Sequence, residues 1–432
     1  MIPALAGMTC CPLCTGVSHP RQRVMTGGKT SEIYTATTQK LKEICVTAVF
    51  FMYKYTQKCY SCRKMNIYLL SLRVNAERRV IMSQILEQAE KLLQALPKEQ
   101  LGFFPTPFYR LDRLSEELGV NLYIKRDDFT GMNLFGGNKV RKLEYLLGEA
   151  KAKGCEYAIT YGATQSNHAM ETAAACRRCG IKPILYLTAV VEPDEADVRA
   201  NLLLDKILDV ELHIVDILPG ETEDDAEARS FEMGAARAKE LNESGHPCYD
   251  IPMGGASIVG SVGFANGYVE FEKQVKAMNL NVDYIFHATG TGGTMAGLAA
   301  GRKMTESNTK IISITVSPKD EKYLRKVEKL ANDVLALVKS PAHVTMEEDL
   351  HMDTGYYAPG YEQPNEAASE AIRLLARTEG LFVDPVYTGK ALAGLIDYVR
   401  SGKVPQGSNV VFWHTGGATA LFAEHEILGK LY

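Results

Sequence analysis

The 432-residue sequence lacks an excess of charge of either sign. It has 48 Lys and Arg against 52 Asp and Glu, which gives a formal net charge of -4. This balance provides no electrostatic footprint for a nucleic-acid partner. Hydrophobic residues make up 46% and charged residues 23%, as in an ordinary globular protein. The composition excludes a collagen-like fibre, a coiled coil and a fully disordered chain, and the length predicts two or three domains.

Long apolar runs and signs of export are also missing. The longest apolar run, residues 44–53, is about half the length that a membrane span requires. No charged segment precedes a long apolar stretch at the N-terminus, which argues against a secretory signal. Only four of the ten cysteines lie beyond residue 81. We therefore expect a cytoplasmic protein with no membrane partner.

Residues 1–81 differ in composition from the rest of the chain. They contain 12 Lys and Arg against three Asp and Glu, together with six cysteines. Two Cys-x-x-Cys pairs begin at Cys11 and Cys59, but their separation is far beyond zinc-ribbon spacing, so no metal is predicted. Met82 opens an amphipathic segment that Ser83 would cap as a helix. We interpret residues 1–81 as an N-terminal extension that is disordered or precedes the true start.

From residue 120 onward, apolar runs of strand length alternate with stretches of helical periodicity. In residues 138–153, for example, Val140, Leu143 and Leu147 recur on one helical face. Such alternation predicts an α/β protein with largely parallel sheets. The predicted strands are residues 122–125, 157–161, 183–188, 211–216, 284–288, 310–316 and 409–413.

A glycine-rich turn follows the predicted strand 284–288. In Thr289-Gly-Thr-Gly-Gly-Thr294, glycines free the backbone N–H groups, hydroxyls add donors and the next helix adds its positive end, which together favour a phosphate cradle. Met295 stands where a dinucleotide fingerprint needs its third glycine, and no Walker lysine follows. A plain tight turn remains the alternative interpretation.

Lys139 lies in the first turn of a predicted helix, directly after Gly136-Gly-Asn. The positive end of a helix disfavours the charged form of a nearby lysine. A neutral amine is what Schiff-base chemistry requires. The alternative is a solvated surface lysine.

Two more turns end predicted strands. Gly162-Ala-Thr-Gln-Ser-Asn-His168 would present N–H groups to a substrate carboxylate, although Ser166 could simply cap the helix and His168 could simply pack. The segments Asp384–Lys390 and His414–Gly417 add hydroxyls and a tyrosine. A phosphate cradle, a Schiff-base lysine and an anion-binding turn together match pyridoxal 5'-phosphate (PLP).

From about residue 104 onward the sequence resembles the D-cysteine desulfhydrase and 1-aminocyclopropane-1-carboxylate (ACC) deaminase family of PLP enzymes. The resemblance rests on Ile124-Lys-Arg-Asp-Asp-Phe, Gly136-Gly-Asn-Lys-Val-Arg-Lys, Gln165-Ser-Asn-His, Gly290-Thr-Gly-Gly-Thr, Asp384-Pro-Val-Tyr-Thr-Gly-Lys and His414-Thr-Gly-Gly. It implies the tryptophan synthase β-like fold type II, with open, twisted, mostly parallel sheets, and a homodimer. The large PLP-binding domain would comprise residues 82–140 and 251–432, and the small domain residues 141–250.

The resemblance also implies roles for individual residues. Lys139 would bind the cofactor aldehyde and move the substrate α-proton, and Asn167 would contact the cofactor 3′ oxygen. Ser166, Tyr361 and Tyr387 would act on the substrate, whose carboxylate would meet Gln165, Ser166 and His168. The remaining cofactor contacts would come from Lys142, Thr289, Gly290, Thr291, Gly292, Gly293, Thr294, Thr388 and Thr415.

Two positions distinguish the branches of this family. The deaminase branch has glutamate and leucine where this sequence has Thr388 and Thr415. A glutamate would keep the cofactor ring nitrogen protonated and strengthen the electron sink, which ring opening of ACC demands more than thiolate expulsion does. We therefore expect D-cysteine desulfhydrase activity. Ala169-Met170 replaces the Val-Arg common in relatives, so ACC deaminase, elimination from D-serine or cysteate, and a non-catalytic PLP-binding homologue stay open as alternatives.

Overall fold

The computed structural model describes residues 80–190, 198–361, 363 and 365–423. Their strands form two sheets, and the helices pack on the sheet faces. The strands are β1 (Phe108–Arg110), β2 (Asn121–Arg126), β3 (Tyr157–Ala163), β4 (Lys182–Thr188), β5 (Glu211–Val215), β6 (Cys248–Asp250), β7 (Tyr284–Thr289), β8 (Lys310–Thr315), β9 (His351–Asp353) and β10 (Asn409–His414).

The helices of the described residues mostly alternate with the strands, with two helices between β8 and β9 and two between β9 and β10. The helices are α1 (80–94), α2 (Asp112–Leu118), α3 (Lys139–Ala152), α4 (Asn167–Cys179), α5 (Ala200–Ile207), α6 (Glu223–Glu243), α7 (Ile258–Ala277), α8 (Gly293–Met304), α9 (Glu321–Leu337), α10 (Met346–Asp349), α11 (Glu366–Glu379), α12 (Thr388–Arg400) and α13 (Ala420–Ala423). None of these helices is long and apolar enough to cross a membrane.

The six-stranded sheet has the order β1-β2-β10-β7-β8-β9, and the four-stranded sheet the order β5-β4-β3-β6. Every pair is parallel except the antiparallel pair of β1 and β2. The prediction of an α/β fold with mostly parallel sheets is confirmed. The smaller sheet takes its strands from residues 157–250, and the predicted domain boundaries stay a prediction.

The central strands of the larger sheet are buried on both faces. In β10, Val410 and Phe412 pack into one apolar cluster, while Val411 and Trp413 pack into another. Successive side chains of a strand point to opposite faces, so the two clusters lie on the two sides of the sheet. Helices cover both sides, as parallel sheets require.

The helix α1 corrects one local prediction. Residues 80–94 are helical, so the helix includes Ser83 instead of beginning at it. The Ser83 hydroxyl donates to Glu87 Oε1 at 3.3 Å, four residues along the same helix. The two Cys-x-x-Cys pairs and nearly all of the predicted extension lie outside the described residues.

A buried ionic cluster holds α3 against the large sheet. Arg141 donates to Asp127 through Nε and Nη2, both at 2.7 Å, and to Glu270 at 3.0 Å. Trp413 Nε1 also donates to Asp127, at 2.7 Å. Burial lowers the pKa of Arg141, but the carboxylates of Asp127 and Glu270 raise it above its usual value. Because Arg141 follows Lys139 by two residues, this cluster fixes the start of α3.

Candidate active site

A cavity of about 640 Å³ lies where strands of both sheets end. Its wall includes Gly162 and Ala163 from the end of β3 and Thr188 from the end of β4. The larger sheet contributes Thr289 from the end of β7 and Thr415 after β10. Ligands of parallel α/β proteins usually bind at such carboxyl ends.

One end of the cavity is the predicted phosphate cradle. Gly292 caps α8 with a φ of 93°, a left-handed conformation that glycine adopts without strain. The Lys142 Nζ lies beside this turn, where it donates to the Gly254 carbonyl at 2.9 Å. A Cβ atom on Gly293 would lie 3.1 Å from that Nζ, so glycine permits the close approach. A helix N-terminus beside a buried amine is suited to a phosphate group.

Lys139 is the first residue of α3 and lines the cavity. Its Nζ donates to Asn138 Oδ1 at 2.9 Å, and Asn138 Nδ2 donates to Thr294 Oγ1 at 3.2 Å. Burial lowers the pKa of Lys139, while the negative charges of Glu171 and Asp384 oppose that shift. An amine whose charged form is disfavoured is suited to attack an aldehyde.

Glu171 is a cavity residue that the sequence analysis missed. It is buried, lines the cavity and accepts the Val140 N–H at 3.1 Å, so it caps α3 from the neighbouring helix α4. Burial raises the pKa of Glu171 to about 7, against the opposing charge of Lys139. The spacing from Asn167 to Glu171 places both on one face of α4, and a lone acid in this alanine-rich helix was the available signal.

We expect Glu171→Gln to make the Lys139 amine reactive at lower pH. Removing the carboxylate charge removes a cause that raises the pKa of Lys139, so its neutral form persists into more acidic solution. The amide oxygen can still accept the α3 N–H groups. The measurement is the pH midpoint for PLP capture by PLP-free protein, followed by visible absorbance.

Glu144→Gln is the matched control for this prediction. Glu144 is also buried and lies on α3, but it accepts the N–H groups of Leu101 and Gly102, each at 3.1 Å, and does not line the cavity. We expect its midpoint to equal that of the unmodified protein. An unchanged or higher midpoint in Glu171→Gln would contradict the electrostatic role of Glu171.

The turn before α4 brings Ser166, Asn167 and His168 to the cavity wall. Ser166 Oγ accepts the Ala169 N–H at 3.2 Å, so the residue caps α4 while its own hydroxyl proton remains available. His168 Nε2 contacts Thr160 Oγ1 at 2.7 Å. Because Thr160 donates its proton to the Ile251 carbonyl, Nε2 is the nitrogen that carries hydrogen.

His168 is held as a neutral side chain. Burial lowers its pKa well below the usual value, and the charges of Lys139 and Lys142 lower it further. Its second ring nitrogen, Nδ1, contacts Thr172 Oγ1 at 3.5 Å. Both ring nitrogens of His168 are therefore occupied by threonine hydroxyls, and neither is free for the expected contact with a substrate carboxylate.

Three predicted site residues do not line the cavity. Gln165 turns away and accepts the Asn201 N–H at 3.0 Å, and Gly293 begins α8 without lining the cavity. Thr388 is fully buried, and its hydroxyl donates to Asp384 Oδ1 and accepts the Asp384 N–H. Asp384 holds the Thr388 hydroxyl, and the expected contact of Thr388 with the cofactor stays a prediction.

The two predicted tyrosines do meet. Tyr361 and Tyr387 line the cavity, and their hydroxyls are hydrogen-bonded to each other. Their rings are T-shaped with centroids 5.7 Å apart. Thr415 lines the same cavity. A phenol pair of this kind can donate to, or accept from, a polar group bound between the sheets.

Carboxylates line the cavity on the side of the small sheet. Glu223, Asp224 and Glu227 come from the first turns of α6, and Lys319 is the one lysine of the wall beyond α3 among the described residues. Burial, together with the charges of Asp224 and Glu223, raises the pKa of Glu227. The sequence analysis did not predict this acidic wall. Acidic residues at the start of a helix commonly stabilise the helix dipole, so their presence in α6 did not indicate a site.

The arrangement fits pyridoxal phosphate. Lys142 and the turn after β7 suit the phosphate, and Lys139 suits the aldehyde. Asn167 provides an amide on the same cavity wall. Among the described residues, no group of His, Cys, Asp and Glu is placed to hold a metal ion.

Comparisons with known proteins identify the same cofactor. The family model described as pyridoxal-phosphate dependent enzyme matches residues 99–416. A D-cysteine desulfhydrase of Salmonella newport is 37% identical over 339 residues, which is 77% of this chain and 98% of the relative. A Pyrococcus abyssi protein provisionally named ACC deaminase is 38% identical over 335 residues, which is 78% of this chain and 96% of the relative.

Solved structures extend the similarity to the fold. An ACC deaminase homologue has a TM-score of 0.70 and 34% identity, covering 79% of this chain and 98% of its own. Threonine deaminase isoform 2 of Solanum lycopersicum shares the fold, with a TM-score of 0.53 at 19% identity, covering 80% and 89%. The protein is a pyridoxal-phosphate dependent lyase. Within that class, the chain belongs to the family of D-cysteine desulfhydrase and ACC deaminase.

Proposed function

We propose that the protein is a D-cysteine desulfhydrase, which converts D-cysteine and water to pyruvate, hydrogen sulfide and ammonia. The observation that supports this proposal most is the residue at position 388. It is threonine where the deaminase branch has glutamate, and its hydroxyl faces Asp384 instead of the cavity. No carboxylate from this position can keep the cofactor ring protonated. A weaker electron sink is sufficient for loss of a thiolate, which is a good leaving group, and less so for opening a cyclopropane.

PLP supplies the chemistry of an electron sink for the substrate α-carbon. In this proposal the Lys139 Nζ removes the α-proton, and the β-carbon–sulfur bond breaks with its electron pair leaving on sulfur. The Ser166 hydroxyl holds the substrate carboxylate at the positive end of α4. The hydroxyl pair of Tyr361 and Tyr387 flanks the substrate.

The acidic wall supports D-cysteine over its sulfonated relative. Cysteate carries one negative charge more than cysteine in its zwitterionic form. Glu223, Asp224 and Glu227 on the cavity wall outnumber Lys319, so the approach of an additional anion is disfavoured. The thiol of D-cysteine meets no such repulsion.

The proposal is tested by measuring keto-acid release from purified, PLP-loaded protein. D-cysteine, L-cysteine, D-serine, L-cysteate and ACC are compared side by side at equal concentration. We expect pyruvate and sulfide in equal amounts from D-cysteine, and a rate with ACC at least about 100-fold lower, which corresponds to about 2.7 kcal/mol in the barrier.

Each other outcome overturns the proposal in a distinct way. Faster release of 2-oxobutyrate from ACC would identify a deaminase and refute the inference from position 388. Pyruvate chiefly from L-cysteate or D-serine would keep the lyase and replace the substrate, and Ala169-Met170 would be the first place to examine. Full PLP loading with no turnover of any substrate would indicate a non-catalytic homologue.

A further inference from the structure

The neighbours of Asn167 permit one orientation of its side-chain amide. Its Oδ1 accepts the Asn201 Nδ2–H at 2.8 Å and the Thr419 hydroxyl at 2.9 Å. Asn201 is the second residue of α5, and Thr419 directly precedes α13, so the two donors come from different parts of the chain. Both are buried, with exposed fractions of 1% and 3%.

The orientation of Asn201 is fixed in turn by the backbone. Its Nδ2 donates to the Gln165 carbonyl at 2.8 Å, and a carbonyl can only accept. A flipped Asn201 would place two oxygens against each other. Its Oδ1 has no hydrogen-bond partner among the described residues, so no competing contact favours the flip. Asn201 must therefore present nitrogen to Asn167, and Asn167 must present oxygen to Asn201.

We propose that Asn201 and Thr419 are positioning residues that keep the Asn167 amide nitrogen, and not its oxygen, directed to the cofactor. The proposal rests on the placement of PLP in this cavity. It does not depend on which amino acid is the substrate. With its oxygen held by two donors, Asn167 has only N–H groups left for the cavity. An N–H donor stabilises the anionic ring oxygen of PLP, whereas a carbonyl would repel it.

A set of double-mutant cycles tests this chain of contacts. Thr419→Val and Asn201→Ala are each made in the unmodified protein and in Asn167→Ala, and the PLP dissociation constant is measured by visible absorbance. We expect Asn167→Ala to weaken PLP binding by about tenfold, and each positioning variant by about two- to tenfold. In the Asn167→Ala background the same two substitutions should change affinity by less than about twofold.

Thr305→Val is the matched control for loss of a buried threonine hydroxyl. Thr305 is fully buried, and its Oγ1 donates to the Gly301 carbonyl at 3.0 Å, away from the cavity wall. We expect it to leave PLP affinity unchanged in both backgrounds. The pH midpoint of the visible absorbance provides a second readout, which Thr419→Val and Asn167→Ala should shift in the same direction.

Two different failures are distinguishable. If the positioning variants weaken PLP binding equally with and without Asn167, they act through general packing. That result would overturn the positioning inference and leave the placement of PLP in the cavity standing. If Asn167→Ala itself leaves PLP affinity unchanged, the cofactor placement is wrong and the inference is overturned with it. Neither result depends on turnover of D-cysteine, so the proposed substrate is tested separately.

Discussion

Lys139→Ala is expected to lower turnover by at least about 10³-fold, because one side chain supplies both the cofactor attachment and the base that moves the α-proton. The structure places its amine at the start of α3, on the cavity wall, beside Asn138 and Glu171. The measurement is the initial rate of pyruvate release, with PLP added in excess so that lost attachment does not limit occupancy.

Lys151→Ala provides the control for this substitution. Lys151 lies on the same helix, is exposed and pairs with Glu99 at the protein surface. We expect its rate to match that of the unmodified protein. Both variants should remain folded. Replacing Lys139 removes an amine whose charged form burial already disfavours, and Lys151 is exposed. Turnover retained by a folded Lys139→Ala variant would contradict the catalytic role of Lys139.

Asp127→Ala is expected to lower the free energy of unfolding by about 3–5 kcal/mol, because it leaves a buried guanidinium without its principal partner. The side chains of Arg141 and Asp127 are 1% and 0% exposed. The substitution also removes the acceptor of the Trp413 indole N–H. Urea unfolding of the full chain, followed by circular dichroism, measures the effect.

Glu370→Ala is the comparison, since Glu370 forms an exposed ion pair with Arg400 at 2.9 Å. Solvent screens such a pair, so we expect little or no change in stability. Equal effects of the two substitutions would show that the cluster around Arg141 is not the anchor of α3. A loss of stability in Asp127→Ala should also lower PLP affinity, because Lys139 and Lys142 lie on the same helix.

The long elements of the fold could be predicted from the sequence because each has a clear period or apolar run. The strands β3, β7 and β10 form where alternating or continuous apolar residues predict them. The strands β1 and β9 have three residues each, too few to show a period. Pairing with β2 and with β8, respectively, creates these two strands, and their own residues do not record that pairing.

Motifs predicted which turns meet at the cavity, but not which way every side chain points. Ser166 and Asn167 line it, whereas the adjacent Gln165 turns to Asn201. Thr388 belongs to the same motif as Tyr387, yet Asp384 takes its hydroxyl. The orientation of Gln165 depends on a hydrogen-bond partner from another part of the chain, which a single sequence does not pair. The partner of Thr388 lies in the same motif, but the motif alone does not record which way the hydroxyl points.

The residues missed by the sequence analysis have the same origin. Thr419 lies 252 residues from Asn167 in the chain, and only the fold joins them. Glu171 could have been suspected from its place one helical turn after Asn167. Its burial against the start of α3 follows from helix packing and has no signature of its own.

The most direct test of the whole account is the location of the cofactor on the chain. PLP-loaded protein is reduced with borohydride, digested and analysed by peptide mass spectrometry. We expect the pyridoxyl group on Lys139 alone, with Glu171→Gln giving the same site. Labelling of Lys142 or of any other lysine, or PLP that binds without a reducible link to a lysine, would contradict the site described for this cavity.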